Sequence, residues 1–198
     1  MIDIISQRTE AHLTALNQLI ELHGETISLF ANRLIDALMQ EKKIFCCGLG
    51  AHAPNAAAFV ARMIDRFDCE RPAFPAIALT PGSALVSPFV PGNPEDLLAR
   101  PLQALANPGD IIVFVVSADH PSLQSAFSTA RDLQCQVLIL TSESGLRGPD
   151  FITSESLLAV PATEPALIHE LQLFVLHCCC DLIDNALFGV HDEDNFGS

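Results

Sequence analysis

Apolar residues recur at three- and four-residue steps through the first forty positions: Leu13, Leu16 and Ile20, then Ile27, Phe30, Leu34 and Leu38. That spacing lays down one face of an α-helix, and Gly24 predicts a division into two helices. No strand precedes this segment, so it is not the crossover of a βαβ unit. Its apolar stripes need another surface, and self-association of residues 1–40 is the economical expectation. Packing of the first helix on its own domain is the alternative left open. His12 and His23 lie here and are read as structural.

The pattern then changes to short apolar runs closed by glycine, proline and small polar residues. Ile44 to His52 reads as a strand, a tight turn at Gly48 and Gly50, and a helix N-terminus, with Pro54 in the first turn where its missing N–H is tolerated. A helix is expected over 56–67 and a strand over 76–80. Prolines 81, 88, 91, 94 and 101 mark a loop with short helical turns across the mouth of the sheet. Asp110 to Ser117 is β-branched and apolar on both faces, the signature of a central parallel strand covered by helices on each side. A helix over 123–133, a strand over 136–141, a weak strand over 156–160 and a long helix over 164–188 complete the series. Leu167, Leu171, Phe174, Val175, Cys178, Leu182 and Ile183 are placed on the inward side of that last helix. Strands alternating with helices mean an α/β three-layer αβα sandwich with a parallel five-stranded sheet.

Composition narrows the function. The chain has 198 residues, 49% of them hydrophobic, which suits one well-filled domain. Ten Lys+Arg against 24 Asp+Glu give a net charge of −14, so phosphate backbones are repelled and direct nucleic-acid binding is not expected. The absence of Trp and Tyr leaves only Phe for base stacking. Seven cysteines, clustered as Cys46-Cys47 and Cys178-Cys179-Cys180, are odd in number and lack C-x-x-C spacing, as reduced thiols of a cytoplasmic core would. Near the start stands Asp3 rather than a positive charge before an apolar core, and no apolar run reaches ~18 residues. A cytoplasmic protein without membrane attachment is expected.

The order of segments resembles the SIS (sugar isomerase) domain family, in the branch of phosphoheptose isomerase and the DnaA initiator-associating protein, and stands closer to the latter. The resemblance rests on Lys43 to Gly48 with Gly50, Arg66-Phe67 with Glu70-Arg71-Pro72, Pro75 to Leu79, Pro108-Gly109-Asp110, Leu140-Thr141 and Cys180 to Asn185. It implies a SIS domain over 41–188, with residues 1–40 as an N-terminal helical oligomerisation segment and 189–198 as an acidic frayed tail.

The resemblance also implies a phosphosugar pocket, here altered. The family's Gly-Asn-Gly-Gly-Ser loop corresponds to Gly48-Leu49-Gly50-Ala51-His52, and its Ser-Thr-Ser-Gly-Asn-Ser loop to Ser117-Ala118-Asp119-His120-Pro121-Ser122. A carboxylate at Asp119 facing a phosphate dianion costs several kcal/mol at ~4 Å, and Pro121 has no N–H to offer an oxyanion. The expected pocket comprises Gly48, Gly50, His52, Asn55, Ser117, Asp119, Ser122, Glu170 and Gln172, degenerate with respect to sugar phosphate. The family's catalytic Glu and His positions align with Arg62 and Gln172, neither of which accepts a proton at pH 7. No catalytic residue, cofactor or metal is therefore assigned. His52, Asp119, His120, His169 and Glu170 are candidates to converge at the C-terminal sheet edge, but their spacings match no metal motif. Cys46 and Cys47 read as small buried hydrophobes, with a lowered thiol pKa only if exposed near the helix N-terminus.

The initiator-associating branch implies a partner site at a Leu-Phe pair after the last helix, here Leu187 and Phe188. An apolar pair followed by Gly189 and acidic residues has the form of an exposed anchor ringed by charge. Capping of the core by the same pair is the alternative. The functional expectation is a non-enzymatic homotetrameric adaptor that binds DnaA and orders its assembly at the replication origin. The alternative is a phosphoheptose isomerase or phosphosugar sensor.

Overall fold

The computed structural model describes residues 2–80, 96–143, 145–146, 149–150 and 152–189. Of the proline-rich connection expected from Pro81 to Pro101, residues 81–95 lie outside the described residues, as does the tail beyond Gly189, and Pro101 lies in a short helix over Ala99–Leu105. Five strands form one sheet: β1 (Ile44–Gly48), β2 (Ala76–Leu79), β3 (Ile111–Val115), β4 (Gln136–Ser142) and β5 (Leu157–Val160). Their order is β2-β1-β3-β4-β5, and every pairing is parallel. All five residues of β1 and of β3 are buried, because helices cover both faces of the central strands.

The alternation of side chains along the strands separates two cores. Ile44, Cys46, Ile111, Val113, Val115, Leu138 and Leu140 face α1 (Ile2–Met39), α2 (Ala53–Ile64) and α5 (Pro165–Phe188). Phe45, Cys47, Ile112, Phe114 and Ile139 face α3 (Ala99–Leu105) and α4 (Pro121–Asp132). The three-layer sandwich expected from the sequence is the observed fold.

One expectation changes. The N-terminal segment is one continuous helix of 38 residues rather than two divided at Gly24. A single interior glycine costs only about 1 kcal/mol relative to alanine, and contacts on both sides of Gly24 offset it. Ile27, Phe30 and Leu34 are buried as expected, together with Ala15 and Leu19, whereas Leu13 and Ile20 are 56% and 52% exposed. The α5 residues expected on the inward side all pack on the core, Leu171, Val175 and Ile183 buried and Leu167, Phe174, Cys178 and Leu182 partly buried, and they are joined by buried Ile168, Leu176, Cys179 and Cys180. This helix is apolar nearly all round, so periodicity gives no unique inward face. By length and composition α5 passes as a membrane span. Its buried face packs on α1, α2 and the sheet, as a core helix does.

α5 ends where Gly189 turns left-handed at φ +70°, its N–H donating to Asn185 O at 2.9 Å. α1 and α5 run side by side and are fastened at the start of α5. Arg8 Nη1 donates to Glu164 Oε1 at 2.9 Å and Nη2 to Glu170 Oε1 at 2.7 Å, and His12 Nδ1 lies 2.9 Å from Glu170 Oε2.

Candidate functional site at the strand crossover

The strand order reverses between β1 and β3, the crevice in which open parallel sheets present their functional loops. Gly48 ends β1 and Gly50 turns the chain, with φ +55°. A Cβ at Gly48 would stand 2.7 Å from His52 O and 2.9 Å from the Ala53 Cα, so only glycine lets the following turn fold back this closely. That close return places the His52 ring over the crevice, and α2 starts immediately after it with Pro54 in its first turn.

His52, Ser117 and Gln172 form one hydrogen-bonded chain across three elements. His52 Nδ1 lies 2.8 Å from Gln172 Oε1, and His52 Nε2 lies 2.6 Å from Ser117 Oγ. Gln172 is fully buried, and its Nε2 donates to Val116 O at 2.9 Å and to Leu140 O at 3.4 Å. Two carbonyls on the nitrogen side fix the amide orientation, leaving Oε1 as the acceptor toward the ring. A neutral His52 therefore carries its proton on Nδ1, and its Nε2 lone pair accepts the Ser117 hydroxyl. Burial lowers the His52 pKa below the ordinary histidine value, the Gln172 bond opposes that shift, and the neighbouring His169 reinforces it. The ring is neutral at pH 7.

The other expected pocket residues divide. Asn55 is buried and Nδ2 donates to His169 O at 2.9 Å, while the His169 ring meets His52 edge-on at 4.5 Å. Ser122 is buried, and its hydroxyl is engaged by His120 Nδ1 at 2.7 Å at the start of α4. Asp119 is exposed, and its Oδ1 accepts from His120 N at 2.9 Å and Gln124 Nε2 at 3.0 Å. Glu170 is not brought to the crevice. It lies two residues from Gln172 on a helix, so it points to the other side and pairs with Arg8 and His12. Of the residues expected to converge, His169 meets His52 and Glu170 does not. Among the described residues no cluster of three His, Cys, Asp or Glu side chains fits a metal ion.

Arg62 lies exposed near the end of α2. Cys46 and Cys47 are fully buried, and burial pushes both thiols above the ordinary range, so the conditional lowering does not occur. Leu187 is partly buried against the core, and Phe188 is 42% exposed with its ring 6.1 Å from that of Phe74. The Arg8 and His12 pairing with α5 was not legible in the sequence, because no local pattern joins residues more than 150 positions apart. The opposite charges of Arg8 and Glu170 were the only signal.

A family model described as SIS domain matches residues 9–142. A phosphoheptose isomerase of Methylococcus capsulatus is 34% identical over 188 residues, covering 93% of this chain and 96% of the relative. The DnaA initiator-associating protein DiaA of Enterobacter sp. strain 638 is 33% identical over 176 residues, covering 85% and 88%. Among solved structures, a phosphoheptose isomerase from Francisella tularensis superimposes with a TM-score of 0.83 at 29% identity, covering 93% of this chain and 98% of the other.

Proposed function

The chain belongs to the SIS domain family, and within that family we propose that it acts as a DnaA-associating adaptor, a cytoplasmic homo-oligomer that gathers initiator molecules into ordered assembly at the replication origin. The observation that carries this reading is the occupation of the crevice by the protein's own side chains. His52 spans it from Ser117 to Gln172, and Asp119 adds a carboxylate at its rim. A sugar phosphate entering there would have to displace His52 from two hydrogen bonds and meet the Asp119 charge. The partner surface is then Phe188, exposed at the end of α5, with Leu187 seating it on the core.

Exposed Ile2, Ile4, Ile5, Leu13 and Ile20 give the N-terminal half of α1 an apolar surface that supports self-association, with a homotetramer as the proposed state. Several copies would raise the effective concentration of a weak site by multivalency. The acidic chain suits a basic partner surface. The test is capture of purified DnaA by the full chain and by Leu187→Ala with Phe188→Ala. Loss of capture with the oligomer intact is expected, and undiminished capture overturns the surface assignment.

The phosphoheptose isomerase relatives favour a second reading, a sugar-phosphate isomerase or sensor. A thermal-shift series with sedoheptulose 7-phosphate separates the two, since specific binding at ~100 Kd adds ~2.7 kcal/mol of stability. The adaptor reading expects no shift.

A further inference from the structure

We propose that Ser117 is a base-activated nucleophile that accepts an acyl group from small, neutral, activated esters, with His52 as its general base and Gln172 as the residue that positions the base. The arrangement meets the geometric requirement for an activated serine: nucleophile to base, and base to a third group that fixes tautomer and orientation. The Ser117 oxygen lies 2.6 Å from His52 Nε2 and the opposite ring nitrogen 2.8 Å from Gln172 Oε1. The tautomer is set from the far end of the chain, because Val116 O and Leu140 O hold the Gln172 amide nitrogen. Ser122, by contrast, is buried and its hydroxyl is engaged by His120, so the two serines of the loop are not equivalent.

Access supports the same residue. Ser117 is partly exposed, and Ala118, Asp119 and His120 after it are exposed. Asp119 at this rim disfavours anionic donors, which selects neutral esters. Gln172 is uncharged, so its acceptor oxygen stabilises the imidazolium that forms less than a carboxylate would. A donor with a good leaving group is therefore required, and amides are outside its reach.

The step balances without a co-reactant beyond the ester. Ser117 Oγ attacks the acyl carbon and passes its proton to His52 Nε2. The C–O bond to the leaving group breaks and the leaving oxygen departs with the electron pair. A basic leaving oxygen takes the proton from His52, and where it leaves as a stable anion such as p-nitrophenolate, His52 gives its proton to solvent, so the ring is neutral again in either case. Water then attacks the acyl-serine, giving one proton to His52, which returns it to Ser117 Oγ as the carboxylic acid leaves. This chemistry is independent of the Phe188 surface and stands or falls separately from the adaptor reading.

The test uses the full chain and p-nitrophenyl acetate, following p-nitrophenolate release and locating the acetyl group by peptide mass spectrometry. Acetylation of Ser117 is expected, abolished by Ser117→Ala and slowed about 100-fold or more by His52→Gln, the contribution of a positioned base. Ser128→Ala, on the exposed face of α4, leaves it unchanged. Gln172→Met lowers the rate and moves the midpoint of the pH profile downward, because the lost acceptor had favoured the charged ring against burial and His169. Unfolding midpoints and oligomer size establish that each variant is folded. In the unmodified chain the rate must fall on acidification as His52 protonates. Acetylation confined to other residues, an unaltered rate in His52→Gln, or a rate independent of pH overturns the proposal.

Discussion

The Arg71 guanidinium closes on the Asp184 carboxylate with both side chains withdrawn from solvent: Nε donates to Oδ1 at 2.6 Å, and the two side chains are 0% and 2% exposed. Both terminal nitrogens are engaged as well, with Nη1 reaching Met63 O at 3.0 Å and Nη2 reaching Arg62 O at 2.8 Å. The Phe74 ring lies 4.2 Å beneath the guanidinium carbon. One side chain thus joins the end of α2, the entry to β2 and the last turns of α5.

Removing one partner of such a pair leaves the other charge withdrawn from solvent and unpaired. Asp184→Ala is expected to destabilise the fold by about 3–5 kcal/mol. Asp184→Asn keeps an acceptor for Nε and is expected to cost less. Urea unfolding monitored by circular dichroism ranks the two, and equal costs would show that the charge, rather than the acceptor, decides.

The two glycines after β1 respond differently to a methyl group. At Gly48 a Cβ meets backbone atoms at 2.7 and 2.9 Å, which cannot yield without moving the turn that carries His52. Gly48→Ala is expected to cost about 1–3 kcal/mol and to weaken the His52 to Ser117 contact, read as a changed His52 titration by NMR. At Gly50 the space is open and only the φ of +55° penalises a side chain. Gly50→Ala is expected to cost about 1 kcal/mol with the His52 titration preserved.

Leu187 and Phe188 separate in stability before any partner is added. Leu187 is partly buried on the core, so Leu187→Ala is expected to cost about 1–2 kcal/mol. Phe188 is 42% exposed, and Phe188→Ala is expected to cost under about 1 kcal/mol. Denaturation midpoints of the single variants check this. The reverse order would make Phe188 the seat and Leu187 the anchor.

Acid weakens the fold through its histidines before its carboxylates. His23, His52 and His177 all have pKa values lowered chiefly by burial, so the unfolded chain binds more protons than the folded one between the folded and unfolded pKa. Stability is then full above the unfolded value of about 6.5 and is lost as pH falls through the folded values. Glu170, lowered by its bond from Arg8, loses its contribution only in the more acidic carboxylate range. Urea midpoints between pH 7.5 and 5.5 are expected to fall, and less steeply in His52→Gln. A flat profile would contradict the burial of these rings.

The sheet was legible because each strand is a short apolar run closed by a turn residue, and Ile111 to Val115 could occupy only a covered central strand. α1 was misread at Gly24 because a glycine marks a break only when tertiary contacts do not bridge it. The inward residues expected on α5 do pack on the core, but Ile168, Leu176, Cys179 and Cys180 were not singled out with them because this helix is apolar nearly all round. Gly48, His52, Ser117 and Gln172 were all legible as members of one pocket through the family resemblance. Their joining into a single hydrogen-bonded chain was not, since it depends on which way a buried amide faces, and the carbonyls of Val116 and Leu140 decide that. Glu170 was drawn to the wrong side because its partners, Arg8 and His12, arrive from the far end of the sequence.

That distance has a consequence during synthesis. Arg8 reaches Glu164 across 156 positions, and the buried face of α1 is covered largely by α5. At about 5–20 residues per second, α1 leaves the ribosome roughly 8–30 seconds before its intramolecular cover exists. Over that interval its apolar stripe is shown to whatever is nearest, including the nascent α1 of a neighbouring ribosome on the same message.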